Sequence, residues 1–247
     1  MQPSVRLGML TPSSNTTLEP VCAQMLAGLP EVSVHFARFR VVEISLTDEA
    51  LGQFDIAVQL SAAELLADAR CDVICWNGTS ASWLGLQRDR LLCEAITRRT
   101  GIPACSSVLA LVEAFKTKAI TRYGLVSPYV PEIQARIVEN FNSQGYACVA
   151  ERHADIRTNY EFASLDDDTI RAMVRDVSRA GPGAVAILCT NMRGAPLVEQ
   201  LERELDVAIY DSVSLAVWAS LRAAGISPTR VRGWGRLFDV GHFNGKK

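Results

Sequence analysis

VICWNGTSAS (residues 73–82) and AVAILCTNMR (residues 184–193) decide the fold. Each is an apolar run that ends abruptly in small polar residues. A short, continuously apolar run of this kind suits a strand covered on both faces of a parallel sheet. The first stretch turns at Gly78-Thr79-Ser80, the second at Cys189-Thr190-Asn191, so the same event occurs twice at an offset of about 110 residues. Only the second copy carries a thiol at the turning point.

The runs around them extend the pattern. Strands are expected at VRLGML (5–10), VSVHFARF (32–39), DVICWNG (72–78) and IPACSS (102–107). A second set is expected at RYGLVS (122–127), YACVAERH (146–153), AVAILCT (184–190) and VAIYDS (207–212). Helical periodicity falls between them, at EALGQFDIAVQLSAAELLADAR (49–70) and DDTIRAMVRDVSRAG (167–181). The second of these opens on acidic residues and closes on glycine, which is helix-terminus chemistry. PACSSVLALVEAF (103–115) pairs in the same way with VAIYDSVSLAVWASL (207–221). Alternating strands and helices, repeated once, predict an α/β protein of two parallel-sheet halves. Residues 1–115 with about 214–247 are expected to form one half and residues 116–213 the other. Ligands of open α/β sheets bind beyond the C-terminal strand ends, so the two turns are expected to wall one cleft.

Composition narrows the function. The 247 residues are 49% hydrophobic and 21% charged, with a net charge of −2 and no basic cluster. That balance argues against a nucleic-acid surface or a basic membrane helix. No signal peptide or membrane-length apolar run is evident, so a soluble, cytoplasmic chain is expected. Its oligomeric state is left open. Seven cysteines, dispersed and odd in number, do not suggest a disulfide framework. His35, His153 and His242 stand at no metal-ligand spacing with one another, so no metal is expected. GWGRLF (233–238) follows a helix rather than a first strand and is not a dinucleotide loop, and no cofactor signature is found.

The polar turns carry the chemistry. TPSSNTTLEP (11–20) offers Ser13, Ser14, Asn15, Thr16 and Thr17 at a helix start, either as an anion cradle or as an ordinary N-cap. NGTSAS (77–82) adds the hydroxyls of Thr79 and Ser80, and LCTNMRG (188–194) adds Cys189 and Thr190. A thiol at a helix start is expected to have its thiolate favoured, for nucleophilic or acid–base work. No histidine lies near either motif, which favours proton transfer over an acyl-enzyme. Tyr129, in SPYVPEI (127–133), is either a donor to a substrate oxyanion or a boundary tyrosine. Cys75 is a rival for a second thiol, or else a buried, inert one.

PSSNTT (12–17), NGTS (77–80), SPY (127–129), CTN (189–191) and GRLFD (235–239) together resemble the aspartate/glutamate racemase superfamily. Within it they resemble the branch of arylmalonate decarboxylases and maleate cis–trans isomerases. The resemblance implies two Rossmann-like halves related by a pseudo-twofold axis, an active site in the cleft between them, and no cofactor. It places Asn15 and Asn159 where the isomerases bind carboxylates. It also places Gly78, opposite Cys189, where the isomerases have the first catalytic cysteine that their mechanism needs as the nucleophile adding to the double bond. Gly-Thr-Ser with one cysteine is the decarboxylase-like pattern. Two-face chemistry asks for two groups and decarboxylation for one, so a cofactor-independent decarboxylase of a substituted malonate is the first expectation. In that reading Cys189 is the proton donor, with Ser14, Asn15, Thr79, Ser80, Tyr129, Asn159 and Thr190 around the substrate. The alternative is an isomerase or racemase of a small dicarboxylate. A cysteine placed at Gly78 is expected to create two-face exchange.

Overall fold

The computed structural model describes residues 4–239. The first half runs β1 (Val5–Pro12), α1 (Leu18–Leu26), β2 (Val32–Phe39), α2 (Asp48–Gly52), α3 (Ile56–Asp68) and β3 (Val73–Trp76). It continues with α4 (Ala81–Leu84), α5 (Leu86–Thr100), β4 (Ala104–Ser106) and α6 (Ser107–Thr117). Next come β5 (Arg122–Ser127), α7 (Pro131–Ser143), β6 (Ala147–His153) and α8 (Asp167–Ser178). The chain then forms β7 (Ala184–Ile187), α9 (Val198–Leu205), β8 (Ala208–Asp211) and α10 (Ser212–Ala223).

Two four-stranded parallel sheets result, in the orders β2-β1-β3-β4 and β6-β5-β7-β8. The orders are the same once the second set is renumbered, as the internal repeat predicts. All four residues of β3 and of β7 are buried, which is why both read as unbroken apolar runs. The strands at 32–39 and 122–127 have the expected limits.

The strands expected at 102–107 and 184–190 are shorter, at 104–106 and 184–187, and two further expectations change. The run 49–70 is not one helix: Thr47 accepts the Ala50 N–H and Asp55 accepts the Ala57 N–H, so each caps its own segment. The strand at 72–78 ends at Trp76, because the Asn77 side chain turns back to donate to the Cys75 carbonyl at 2.9 Å. The turn carrying Gly78 is therefore free of the sheet.

Helices pass between the halves. Phe115 of α6 packs among Tyr123, Phe141, Tyr146 and Tyr210 of the second half, with centroids 5.3–6.4 Å away. In return α10, buried from Ser212 to Leu221, lies against α6, β3 and β4. Across the mouth of the cleft, Ile44 N donates to Arg157 O at 3.0 Å and Asn159 N to Val42 O at 3.0 Å. No helix among the described residues is long and apolar enough to cross a membrane.

Candidate active site

Gly78 and Cys189 each stand two residues beyond their strand, β3 and β7. Their turns are bonded to each other: Thr190 Oγ1 donates to the Asn77 carbonyl at 3.0 Å and accepts from Asn15 Nδ2 at 3.1 Å. Cys189 is 2% exposed, and Thr79, Ser80, Tyr129, Asn15, Asn159 and Thr190 are buried with it. Ser14 is half-buried. The structure thus brings the expected residues to one interface between the halves.

The sulfur of Cys189 is surrounded by donors. Asn191 N–H reaches it at 3.3 Å, and the Met192 N–H and the Tyr129 hydroxyl also bond to it. Tyr129 Oη lies 2.5 Å from Thr79 Oγ1, so a string of polar groups runs from the Gly78 turn to the thiol. Trp83 and Phe162 meet the Tyr129 ring edge-on, at 5.1 and 5.4 Å, and hold it in place. These donors favour a thiolate, yet burial outweighs them and pushes the thiol up to about 12. The expectation of a stabilised thiolate is therefore corrected. Residues 190–194 form a turn, a single 3-10 turn follows at Ala195–Leu197 and no α-helix begins until α9 at Val198, so no α-helix dipole acts at Cys189. At neutral pH the group is a thiol and can give a proton. Burial likewise raises the Tyr129 phenol well above its usual range.

The 11–20 turn also differs from an open anion cradle. Asn15 Oδ1 accepts the N–H groups of Thr17 and Leu18 at 3.0 and 2.9 Å, the geometry of an N-cap. Thr16 N and Thr17 N donate to Asn191 Oδ1 at 2.9 and 3.2 Å. Asn191 Nδ2 in turn donates to the Asn159 carbonyl at 2.6 Å, and Asn159 Nδ2 to Ser14 Oγ at 2.7 Å. The loop's donors are thus largely taken up in joining the halves, while the Asn15 and Asn159 amides each keep one hydrogen for a ligand. Ser80 opens α4 without capping it.

Asn191, fully buried at the centre of this network, was not singled out from the sequence, although it is the third residue of CTN and the repeat counterpart of Ser80. Trp76 was also missed. A Cβ at Gly78 would lie 2.0 Å from Trp76 Cζ2, so the place of a residue-78 side chain is filled by the indole. A cysteine at 78 therefore does not simply restore a second thiol. Nor is Cys75 a displaced one: it pairs in register with Cys105, contacts that thiol and Ser220, and points to the sheet face opposite Trp76.

His35 bonds Ser33 and His153 bonds Glu151, each at 2.9 Å, and neither is a partner of Cys189. His242 lies outside the described residues. Among the described residues no group of three or more His, Cys, Asp or Glu side chains is arranged for a metal ion.

The family model described as arylmalonate decarboxylase matches residues 7–238. A maleate isomerase of Pseudomonas putida is 28% identical over 246 residues, 95% of this chain and 97% of that protein. An arylmalonate decarboxylase of Bordetella bronchiseptica is 24% identical over 170 residues, 68% of this chain and 71% of that protein. Among solved structures, a cysteine-to-serine mutant of the Nocardia farcinica maleate cis–trans isomerase superposes with a TM-score of 0.87 at 25% identity. The match covers 96% of this chain and 99% of that one, which holds a covalently bound succinylcysteine intermediate.

Proposed function

This chain belongs to the arylmalonate decarboxylase family, and from that premise we propose an enzyme that converts a small dicarboxylic acid through an enediolate, with Cys189 as the one thiol at the reacting carbon. The reaction we assign is cis–trans isomerisation of a maleate-type acid. The observation that carries it is the polar seam of buried Asn15, Asn159 and Thr190 with half-buried Ser14, which suits a second carboxylate better than an aryl group. The nearly full-length likeness to a maleate isomerase supports the same reading.

One thiol is enough for this route. The expectation that isomerisation needs a group on each face holds for proton exchange at carbon, not for addition and elimination. Sγ adds to one alkene carbon, the π pair moves into the adjacent carboxylate as an enediolate, and the thiol proton passes to a carboxylate oxygen. The carbon–carbon bond is then single and rotates, and reversal releases the trans acid. Thr79 and Tyr129 stand where they can stabilise the enediolate as its charge grows.

A second reading is favoured by one observation, a neutral thiol at 189 with a glycine, its side-chain place filled by Trp76, at the repeat counterpart 78. In it a malonate-type acid loses carbon dioxide and Cys189 protonates the enediolate carbon. Incubation with maleate, methylmalonate and phenylmalonate separates the two. Fumarate without carbon dioxide supports isomerisation, and carbon dioxide supports decarboxylation. Turnover of none of the three by folded protein overturns both.

A further inference from the structure

Trp76, the last residue of β3, is fully buried, and its ring folds back over the turn that follows. A Cβ on Gly78 would lie 2.0 Å from Cζ2, 2.4 Å from Cη2 and 2.5 Å from Cε2. Cε2 carries the ring nitrogen, so the benzo edge of the indole next to its N–H borders Gly78. Phe39 packs against the same ring, centroids 5.2 Å apart and planes inclined at 36°, which fixes its orientation. By the internal repeat, position 78 answers to 189. One wall of the cleft presents a thiol there, the other an indole.

Among the described residues the indole nitrogen has no hydrogen-bond partner, although it is buried. Buried N–H groups are ordinarily paired, and an indole N–H can only donate. What is missing is therefore an acceptor at the Gly78 turn, which Thr190 ties to the turn bearing Cys189. A carboxylate oxygen is the acceptor that the substrate class supplies.

We propose that Trp76 is a substrate-contacting residue: its ring takes the place of a second thiol, and its N–H donates to one carboxylate of the bound dicarboxylate. The assignment rests on the dicarboxylate reading above. The flat ring leaves the reacting carbon open to Cys189 from one side only. Its N–H pins one carboxylate, so the plane of the substrate is set by the protein rather than by the thiol. Gly78 and Trp76 then form a coupled pair, because any side chain at 78 displaces the donor.

The test uses succinate, a dicarboxylate that neither reaction consumes, with affinity measured by calorimetry. Trp76→Phe keeps a ring and deletes the N–H. Succinate affinity is expected to fall about tenfold, as for a lost hydrogen bond to a charged group, with KM rising more than kcat falls. Wild-type protein carrying nitrogen-15 tryptophan gives a second reading that does not depend on that variant folding: the indole N–H signal that persists in each of Trp83→Phe, Trp218→Phe and Trp234→Phe moves downfield on adding succinate. Unchanged affinity in folded Trp76→Phe, or no indole shift in a wild type that binds succinate, overturns the assignment of Trp76 alone. A wild type that binds neither succinate nor malonate overturns the dicarboxylate reading together with it.

Discussion

Thr190 donates its hydroxyl to the main-chain oxygen of Asn77 at 3.0 Å, joining the turn of the thiol to the turn of the glycine. The Thr190 hydroxyl oxygen itself accepts from Asn15 Nδ2 at 3.1 Å, so one side chain holds three segments from two halves. Thr190→Val keeps the shape and removes both bonds. It strands a buried amide and a buried carbonyl, each costing about 1–3 kcal/mol when unpaired. Thermal unfolding is expected to shift down accordingly, and turnover to fall even below the new melting temperature, as the two turns lose register. Full activity in a destabilised Thr190→Val protein would show that the bond serves folding alone.

Burial holds the Cys189 thiol near about 12 against the three donors aimed at its sulfur. Iodoacetamide at about pH 8 is therefore expected to label Cys189 slowly in the substrate-free protein, because the thiolate is the nucleophile. Peptide mass spectrometry reads the site directly. Cys189→Ala should lose turnover by about a thousandfold or more, the scale of removing a reacting group rather than a positioning one. Rapid labelling at pH 8 would contradict the burial argument, and retained turnover in Cys189→Ala would remove the thiol from the reaction.

Much of the fold was legible because parallel strands buried on both faces leave unbroken apolar runs, as at 73–76 and 184–187. The repeat of those runs then places the cleft at their C-terminal ends. What escaped depended on partners distant in sequence. Asn191 bonds the 16–17 backbone from 175 and 174 residues away, and nothing local marks it as a hub. Trp76 read as one more apolar strand residue, yet its ring orientation is set by Phe39 of another strand. The Cys189 thiolate was misjudged for a related reason: free N–H groups are visible in a turn sequence, but the degree of burial that opposes them is not.

Two carboxyls outside the proposed chemistry make stability depend on pH. Asp89 and Asp211 are fully buried, and each has one oxygen without a hydrogen-bond partner among the described residues. Burial pushes both from 3.8 to about 7. A carboxyl raised in the folded state binds protons that the unfolded chain has released, so its contribution is full below about pH 4 and is lost as pH rises through about 7. Melting temperature is expected to fall between about pH 5 and pH 8, and Asp89→Asn with Asp211→Asn to flatten that slope. Asn keeps the oxygen that accepts from Val213 N and Ser214 N at the start of α10, so the cap survives the substitution. A slope unchanged in the double variant would assign the dependence to other groups.

Tyr129 offers the sharpest separation of positioning from chemistry. Its hydroxyl bridges Thr79 and Cys189, while its ring is clamped by Trp83 and Phe162. Tyr129→Phe keeps the clamp and removes the bridge, so the fold should tolerate it. Deleting a donor aimed at developing charge costs about a hundredfold or more in kcat, and KM should move far less. The bond from Tyr129 also lowers the Cys189 pKa, so its loss should leave the thiol still harder to ionise and slow alkylation at alkaline pH. A Tyr129→Phe protein with reduced kcat but unaltered Cys189 labelling would place the hydroxyl on the substrate and not on the sulfur. One with normal kcat would reduce Tyr129 to a packing residue.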